Sequence, residues 1–135
     1  MLFDEQAGRY RNAEKMNVKK KKKRVARKVP SEALECQRLI DYLRARNIRF
    51  AHVPNEATSR TQRIKNARMG ASAGIPDYLI LLPTVTLWIE MKKQKGGRVS
   101  EQQRAWIDAL NAQAGQFAVV CNGFEEARDV VERFK

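Results

Sequence analysis

The chain contains very little from which histidine, thiol or membrane chemistry could be built. Its 135 residues include one histidine, His52, and two cysteines, Cys36 and Cys121. A single histidine excludes a multi-histidine zinc site and a histidine-driven nucleophile cascade. Both cysteines fall inside apolar periodic stretches, which suits buried reduced thiols and an intracellular compartment better than a disulfide. No apolar run approaches the roughly 20 residues needed to cross a bilayer, and the N-terminus lacks the apolar core of a signal peptide, so a soluble protein with no membrane partner is expected. Zinc-finger spacing, a helix-turn-helix signature and an aromatic RNA-binding motif are absent as well.

Negative charge is also scarce. Fifteen Asp and Glu stand against 27 Lys and Arg, for a net charge of +12. That imbalance suits a polyanionic partner, nucleic acid first and an anionic membrane surface second. It is unevenly placed: residues 1–30 carry eleven cations against three carboxylates, residues 31–135 sixteen against twelve. The block Lys19 to Lys23 followed by Arg24 repels itself and buries nothing, so residues 1–30 read as a flexible basic arm. Residues 31–135 then form one domain, long enough for a core and too short for two.

Pro30-Ser31 marks the boundary, because Ser is a good N-cap and Glu32 complements the helix dipole. Cys36, Leu39, Ile40 and Leu43 recur at helical spacing and predict a helix over Glu32 to Arg46. Ile48 to Val53 alternates apolar with mostly polar residues and reads as a strand ended by Pro54, with His52 near its end beside a cleft. Residues 55–74 are polar and basic, a surface loop partly helical around Gln62 to Met69. Tyr78 to Leu82 and Val85 to Ile89, joined at Pro83-Thr84, predict a hairpin of buried strands. Ser100 caps a helix to about Ala114, with Ala105, Trp106, Ala109 and Leu110 facing inward and Gly115 as stop signal. A strand from Phe117 to Cys121 and a helix from about Phe124 to Phe134 complete an α-β-β-β-α-β-α order. The fold class is α/β, a mixed central sheet flanked by helices. Trp88 and Trp106 read as core residues rather than base-stacking ones.

Chemistry concentrates at the hairpin. Glu90 and Lys92 lie one residue apart near the end of its second strand, so the period of two puts both on one face. Asp77 precedes the first strand, and a short turn in antiparallel register brings it close to Glu90. Two carboxylates at one point repel unless a cation binds, and hard oxygen ligands favour Mg²⁺ or Mn²⁺. A lysine beside them orients or activates a water, or stabilises charge on a phosphoryl oxygen. The plainer alternative is a solvated Glu90–Lys92 ion pair with Asp77 as a turn residue, and the pattern E-x-K alone leaves both open.

Gly74-Ile75-Pro76-Asp77-Tyr78-Leu79-Ile80, then Trp88-Ile89-Glu90-Met91-Lys92, then Ser100-Glu101-Gln102-Gln103 with Trp106 and Leu110, resembles the VRR-NUC branch of the PD-(D/E)XK, restriction-endonuclease-like nucleases. The resemblance spans about Ser31 to Phe134. It implies a restriction-endonuclease-like core in which Asp77 and Glu90 bind Mg²⁺ or Mn²⁺, Met91 contributes its backbone carbonyl and Lys92 assists the attacking water. It further implies a supporting role for Gln103 and an acidic ligand on the first helix. Of the two candidates, Glu32 lies on the line of Cys36, Leu39 and Leu43 at ~100° per residue, whereas Glu35 lies to one side. Glu32 is therefore preferred as ligand, with a helix-dipole carboxylate as its alternative, and Glu35 reads as a surface residue paired with Arg38.

Arg60, Arg63, Lys65 and Arg68 precede the site in sequence, and Lys93, Lys95 and Arg98 follow it. If they flank it in space they track a phosphate backbone without reading bases. The expected activity is metal-dependent, structure-selective cleavage of DNA. Stand-alone phage and bacterial relatives, as the resemblance implies, act on branched DNA, which points to flapped substrates or a Holliday junction, a homodimer to cut two strands, and a bacterial or phage-infected cell. Two alternatives remain at this point, a non-catalytic basic DNA-binding protein and a restriction-like enzyme with a defined site.

Overall fold

A computed structural model describes residues 28–54 and 59–135. Residues 1–27, most of the basic arm, lie outside the described residues. Helix α1 spans Glu32–Ala45, with the Ser31 hydroxyl accepting from the Leu34 N–H at 3.2 Å as N-cap. Strand β1 (Phe50–His52), helix α2 (Arg60–Arg68), strands β2 (Tyr78–Leu81) and β3 (Thr86–Lys92), helix α3 (Glu101–Asn111), strand β4 (Gln116–Asn122) and helix α4 (Phe124–Phe134) follow.

The strands form one sheet in the order β1-β2-β3-β4. β1 pairs antiparallel with β2, and β2 with β3 in the register Tyr78↔Ile89 to Leu81↔Thr86. β3 and β4 run parallel, Thr86↔Gln116 to Lys92↔Asn122, joined through α3 as a parallel pair requires. Leu82 donates to the Val85 carbonyl at 3.1 Å, closing the hairpin around Pro83-Thr84.

Alternation along the hairpin separates two faces. Tyr78, Ile80, Leu87, Ile89 and Met91 point one way into a core completed by Leu39, Tyr42 and Leu43 of α1 and Ala127 and Val131 of α4. Leu79, Trp88, Glu90 and Lys92 fall on the opposite face. The Asn111 side chain of α3 bonds both the N–H and the carbonyl of Ala118, at 2.7 and 2.9 Å, and ties that helix to β4.

Several boundaries differ from expectation. The polar segment is helical from Arg60, two residues earlier than expected, because Ser59 caps it by accepting from the Gln62 N–H at 3.1 Å. β1 is only three residues long, and α3 stops at Asn111. The half-buried face of α3 is Gln103, Trp106, Ile107 and Leu110, while Ala105 and Ala109 are exposed. The i, i+3, i+4, i+7 arc selects the former set, and the methyl of alanine did not carry enough apolar surface to rotate it. In α1 the buried arc runs through Glu35, Leu39, Tyr42 and Leu43, since α4 packs on that side, and Cys36 and Ile40 are only half-buried. Cys121 is buried and both cysteines are free thiols. Among the described residues no helix is long and apolar enough to cross a membrane.

Candidate active site

At the end of the sheet a cleft of about 500 Å³ opens between the first turns of α1 and α3, lined by residues that include Glu32, Cys36, His52, Gly74, Asp77, Glu90, Lys92 and Gln103. Continuing the β2–β3 register by one step sets Asp77 opposite Glu90. The Met91 N–H donates to Asp77 Oδ2 at 3.0 Å, locking the Asp77 side chain onto β3. Its backbone is held from the other side, where the Val53 N–H donates to the Asp77 carbonyl at 2.6 Å and His52 Nδ1 lies 3.1 Å from the same oxygen. His52 thus ends β1 beside the cleft, as expected.

Glu90 is 4% exposed, a severe environment for a carboxylate. Lys92 Nζ lies 3.3 Å from Glu90 Oε1, and Gln103 Nε2 donates to the same oxygen at 2.7 Å. The orientation of the Gln103 amide is dictated by its second contact. Its Oε1 accepts the Ser100 N–H at 3.0 Å, and since only oxygen can accept from a backbone N–H, the amide NH₂ must face Glu90. The Gln103 N–H in turn donates to Ser100 Oγ at 3.1 Å, completing a capping box. One side chain therefore caps α3 and grips the carboxylate.

Gly74 makes this docking possible. Its φ is +92°, and a Cβ there would lie 2.4 Å from the Gln102 carbonyl carbon and 2.6 Å from the Gln103 nitrogen. Only glycine lets the segment leading to Asp77 lie directly on the first turn of α3.

Burial, and then the negative charge of Asp77, push the Glu90 carboxyl up from 4.5 to about 7, with Glu32 adding to the rise and Lys92 opposing it. Next to it, burial raises the Cys36 thiol and the Tyr78 phenol, which share a hydrogen bond.

A cation would relieve the repulsion between Asp77 and Glu90, and the donor set fits one type of ion. Among the described residues no three His, Cys, Asp or Glu side chains converge closely enough to bind a metal by themselves. Two carboxylates supplemented by a backbone carbonyl and water suit Mg²⁺ or Mn²⁺, which retain much of their hydration, and do not suit zinc.

A family model described as "VRR-NUC domain" matches residues 6–125. The chain belongs to the VRR-NUC family. That family is a branch of the restriction-endonuclease-like superfamily, and its members are nucleases. A solved structure titled "VRR_NUC domain protein" is 23% identical over 80% of this chain and 90% of its own, with a TM-score of 0.68. That likeness bears on the fold, and it agrees with the α/β architecture expected from the sequence. A search of curated proteins found no match.

Within this VRR-NUC domain Asp77, Glu90, Lys92 and Gln103 come together. Glu32 lines the same cleft from the first turn of α1 and remains exposed. Glu35 is not a surface residue: it is 1% exposed. It does pair with Arg38, at 3.2 Å, but also accepts from Gln94 Nε2 at 3.3 Å and from the Phe124 N–H. The start of α4 covers it, because Gly123 offers no side-chain cap and the Glu35 carboxylate takes over that task from another helix. Glu35 thereby also holds the chain just after Lys92, whose carbonyl accepts the Gly123 N–H at 2.8 Å. The sequence carried no sign of this arrangement, whereas Gly74 was visible as the first residue of the motif that runs to Asp77. Arg60, Arg63, Lys65 and Arg68 lie exposed on α2, and Lys93, Lys95 and Arg98 lie exposed between β3 and α3.

Proposed function

We propose that this VRR-NUC protein is a Mg²⁺- or Mn²⁺-dependent endonuclease that hydrolyses phosphodiester bonds in branched DNA, with flaps and four-way junctions as its substrates. The observation that carries this reading is the placement of Asp77 opposite a buried Glu90 that also touches Lys92 and Gln103. Asp77 and Glu90 would hold the ion, with the Met91 carbonyl and, from the rim, Glu32 completing the protein's share. Bound there, the ion supplies a Lewis acid for the phosphoryl oxygen and lowers the pKa of water.

The chain's own groups do the rest. Gln103 holds one oxygen of Glu90 in place, so the carboxylate does not turn away when it ionises. The Lys92 ammonium, 3.3 Å from that oxygen, orients the attacking water and stabilises the negative charge that grows on phosphorus-bound oxygen. Lys93, Lys95 and Arg98, exposed after β3, and Arg60, Arg63, Lys65 and Arg68, exposed on α2, neutralise phosphates without reading bases. The basic arm through residue 30 adds sequence-independent affinity, and a homodimer supplies two such sites for paired cuts in a junction.

Incubation of a four-way junction, a flap and a linear duplex with Mn²⁺ or with chelator tests the reading on a single gel. Cleavage of the branched substrates in Mn²⁺, absent in chelator, is the expected result. Intact DNA in every metal lane refutes it.

A further inference from the structure

α2 is an unusual helix for a compact domain. It has no buried residue and no acidic residue in its first turn, and among the described residues none of Arg60, Arg63, Lys65 and Arg68 forms an ion pair. Its order comes from its own ends. Ser59 caps the start, and a Schellman motif closes the finish: the Ala71 N–H donates to the Asn66 carbonyl at 2.8 Å and the Gly70 N–H to the Ala67 carbonyl at 3.1 Å, with Gly70 at φ +90°.

Met69, the C-cap residue, stands at this finish and is 88% exposed, the most exposed large apolar side chain among the described residues. Ile64, within the same helix, is 47% exposed. Isolated apolar side chains on a surface are ordinary, but here one is fixed by a closed helix end and follows a helix whose four cations form no ion pair among the described residues. A ligand matching both properties is anionic along its edge and offers an apolar gap. Nucleic acid has that character where base stacking is interrupted, and inserted Met, Ile or Leu side chains are a known way of entering such steps. A lipid surface fits less well, because Ile64 and Met69 lie ~140° apart around the axis and make no apolar stripe.

We propose that Met69 is a wedge that enters the open base step at a branch point of DNA, while Arg60, Arg63, Lys65 and Arg68 grip the flanking phosphates. The proposal rests on the nuclease reading above and adds to it the residue that selects branched over linear substrate. The chain also sets the reach of the wedge. Three residues after Met69, Ser72 Oγ accepts from Trp106 Nε1 of α3 at 3.3 Å, and Gly74 lines the cleft. The eight residues from Met69 to Asp77 span at most ~27 Å, and successive phosphates of a strand lie ~3.4 Å apart along the helix axis. The cut therefore falls within about eight nucleotides of the branch.

The test uses a flap substrate with 2-aminopurine at the branch and the full-length protein, comparing wild type with Met69→Ala and Met69→Leu. Fluorescence is read in chelator, where it reports unstacking whether or not the protein cuts. Wild type and Met69→Leu should raise the signal and Met69→Ala should not. In Mn²⁺, Met69→Ala should lower the ratio of flap to linear-duplex cleavage at least tenfold, with Met69→Leu restoring it. An unchanged ratio in Met69→Ala overturns the proposal, as does a wild-type protein that leaves 2-aminopurine stacked. Binding of wild type to anionic vesicles that depends on Met69, without a response from DNA, also overturns it. A fluorescence change in chelator with no cleavage in any metal would sustain the wedge and refute the nuclease reading, so the two fail separately.

Discussion

Replacing Glu90 with Gln should make the metal-free protein more stable in alkali while abolishing its activity. The Glu90 carboxyl is raised from 4.5 to about 7, chiefly by burial. At ~1.4 kcal/mol per pH unit, the ionised group in the folded chain lies roughly 3 kcal/mol above its free energy in the unfolded one. A carboxyl raised on folding binds more protons in the native state between pH 4.5 and about 7, so wild-type stability falls as pH rises through that window and stays low above it. Glutamine keeps the shape and an oxygen for Gln103, and the Lys92 pairing it gives up, 3.3 Å away, is already counted, because Lys92 opposes the rise within that shift. The net gain at pH 8.5 is therefore on the order of 2–3 kcal/mol, or roughly 10 °C in Tm for a domain of this size. Differential scanning calorimetry at pH 8.5 and pH 4.5 in chelator reads it, with the gain confined to the higher pH. Added Mn²⁺ should raise the wild-type Tm at pH 8.5 and leave Glu90→Gln unmoved. A variant no more stable than wild type at pH 8.5 would refute the view that the fold holds this charge at a cost.

Lys92→Ala should lose cleavage by at least about a hundredfold while DNA affinity changes little, measured by single-turnover kinetics beside an equilibrium binding curve. Gly74→Ala places a Cβ 2.4 Å from the Gln102 backbone at a positive φ, and should lower stability by roughly 2–4 kcal/mol in urea denaturation; an unchanged midpoint would show that the contact is not obligatory. Glu35→Ala strands the Phe124 N–H and should destabilise by roughly 2–3 kcal/mol, with Glu35→Gln losing less because it still offers an acceptor. Replacing Arg60, Arg63, Lys65 and Arg68 with Ala should flatten the dependence of log affinity on log salt by up to ~0.9 per lost phosphate contact, and an unaltered slope would remove α2 from the DNA interface.

Much of the site's framework was legible because it depends on short-range geometry. Glu90 and Lys92 share a face for no reason beyond the period of a strand, and a turn as short as Pro83-Thr84 leaves little freedom over which residue opposes Glu90. The Ser100 cap is equally local. Residues whose roles depend on another element were misread or passed over. Glu35 resembles a surface carboxylate beside Arg38 in sequence, and it is buried because Gly123, 88 positions later, leaves a helix end uncapped. Ala105 and Ala109 fit an apolar stripe on α3, but the larger Trp106 and Ile107 determined which arc faces the sheet.

Composition and periodicity by themselves determined a basic α/β chain with a hairpin that brings Asp77 to Glu90, since charge, turn length and strand period act over a few residues. Tertiary structure decided how that pair is controlled. The burial of Glu90, the direction of the Gln103 amide, the close approach of Gly74 to α3 and the capping of α4 by Glu35 all arise where segments distant in sequence exclude water from one another. Desolvation and hydrogen-bond direction are properties of that shared space, and no spacing along the chain encodes them.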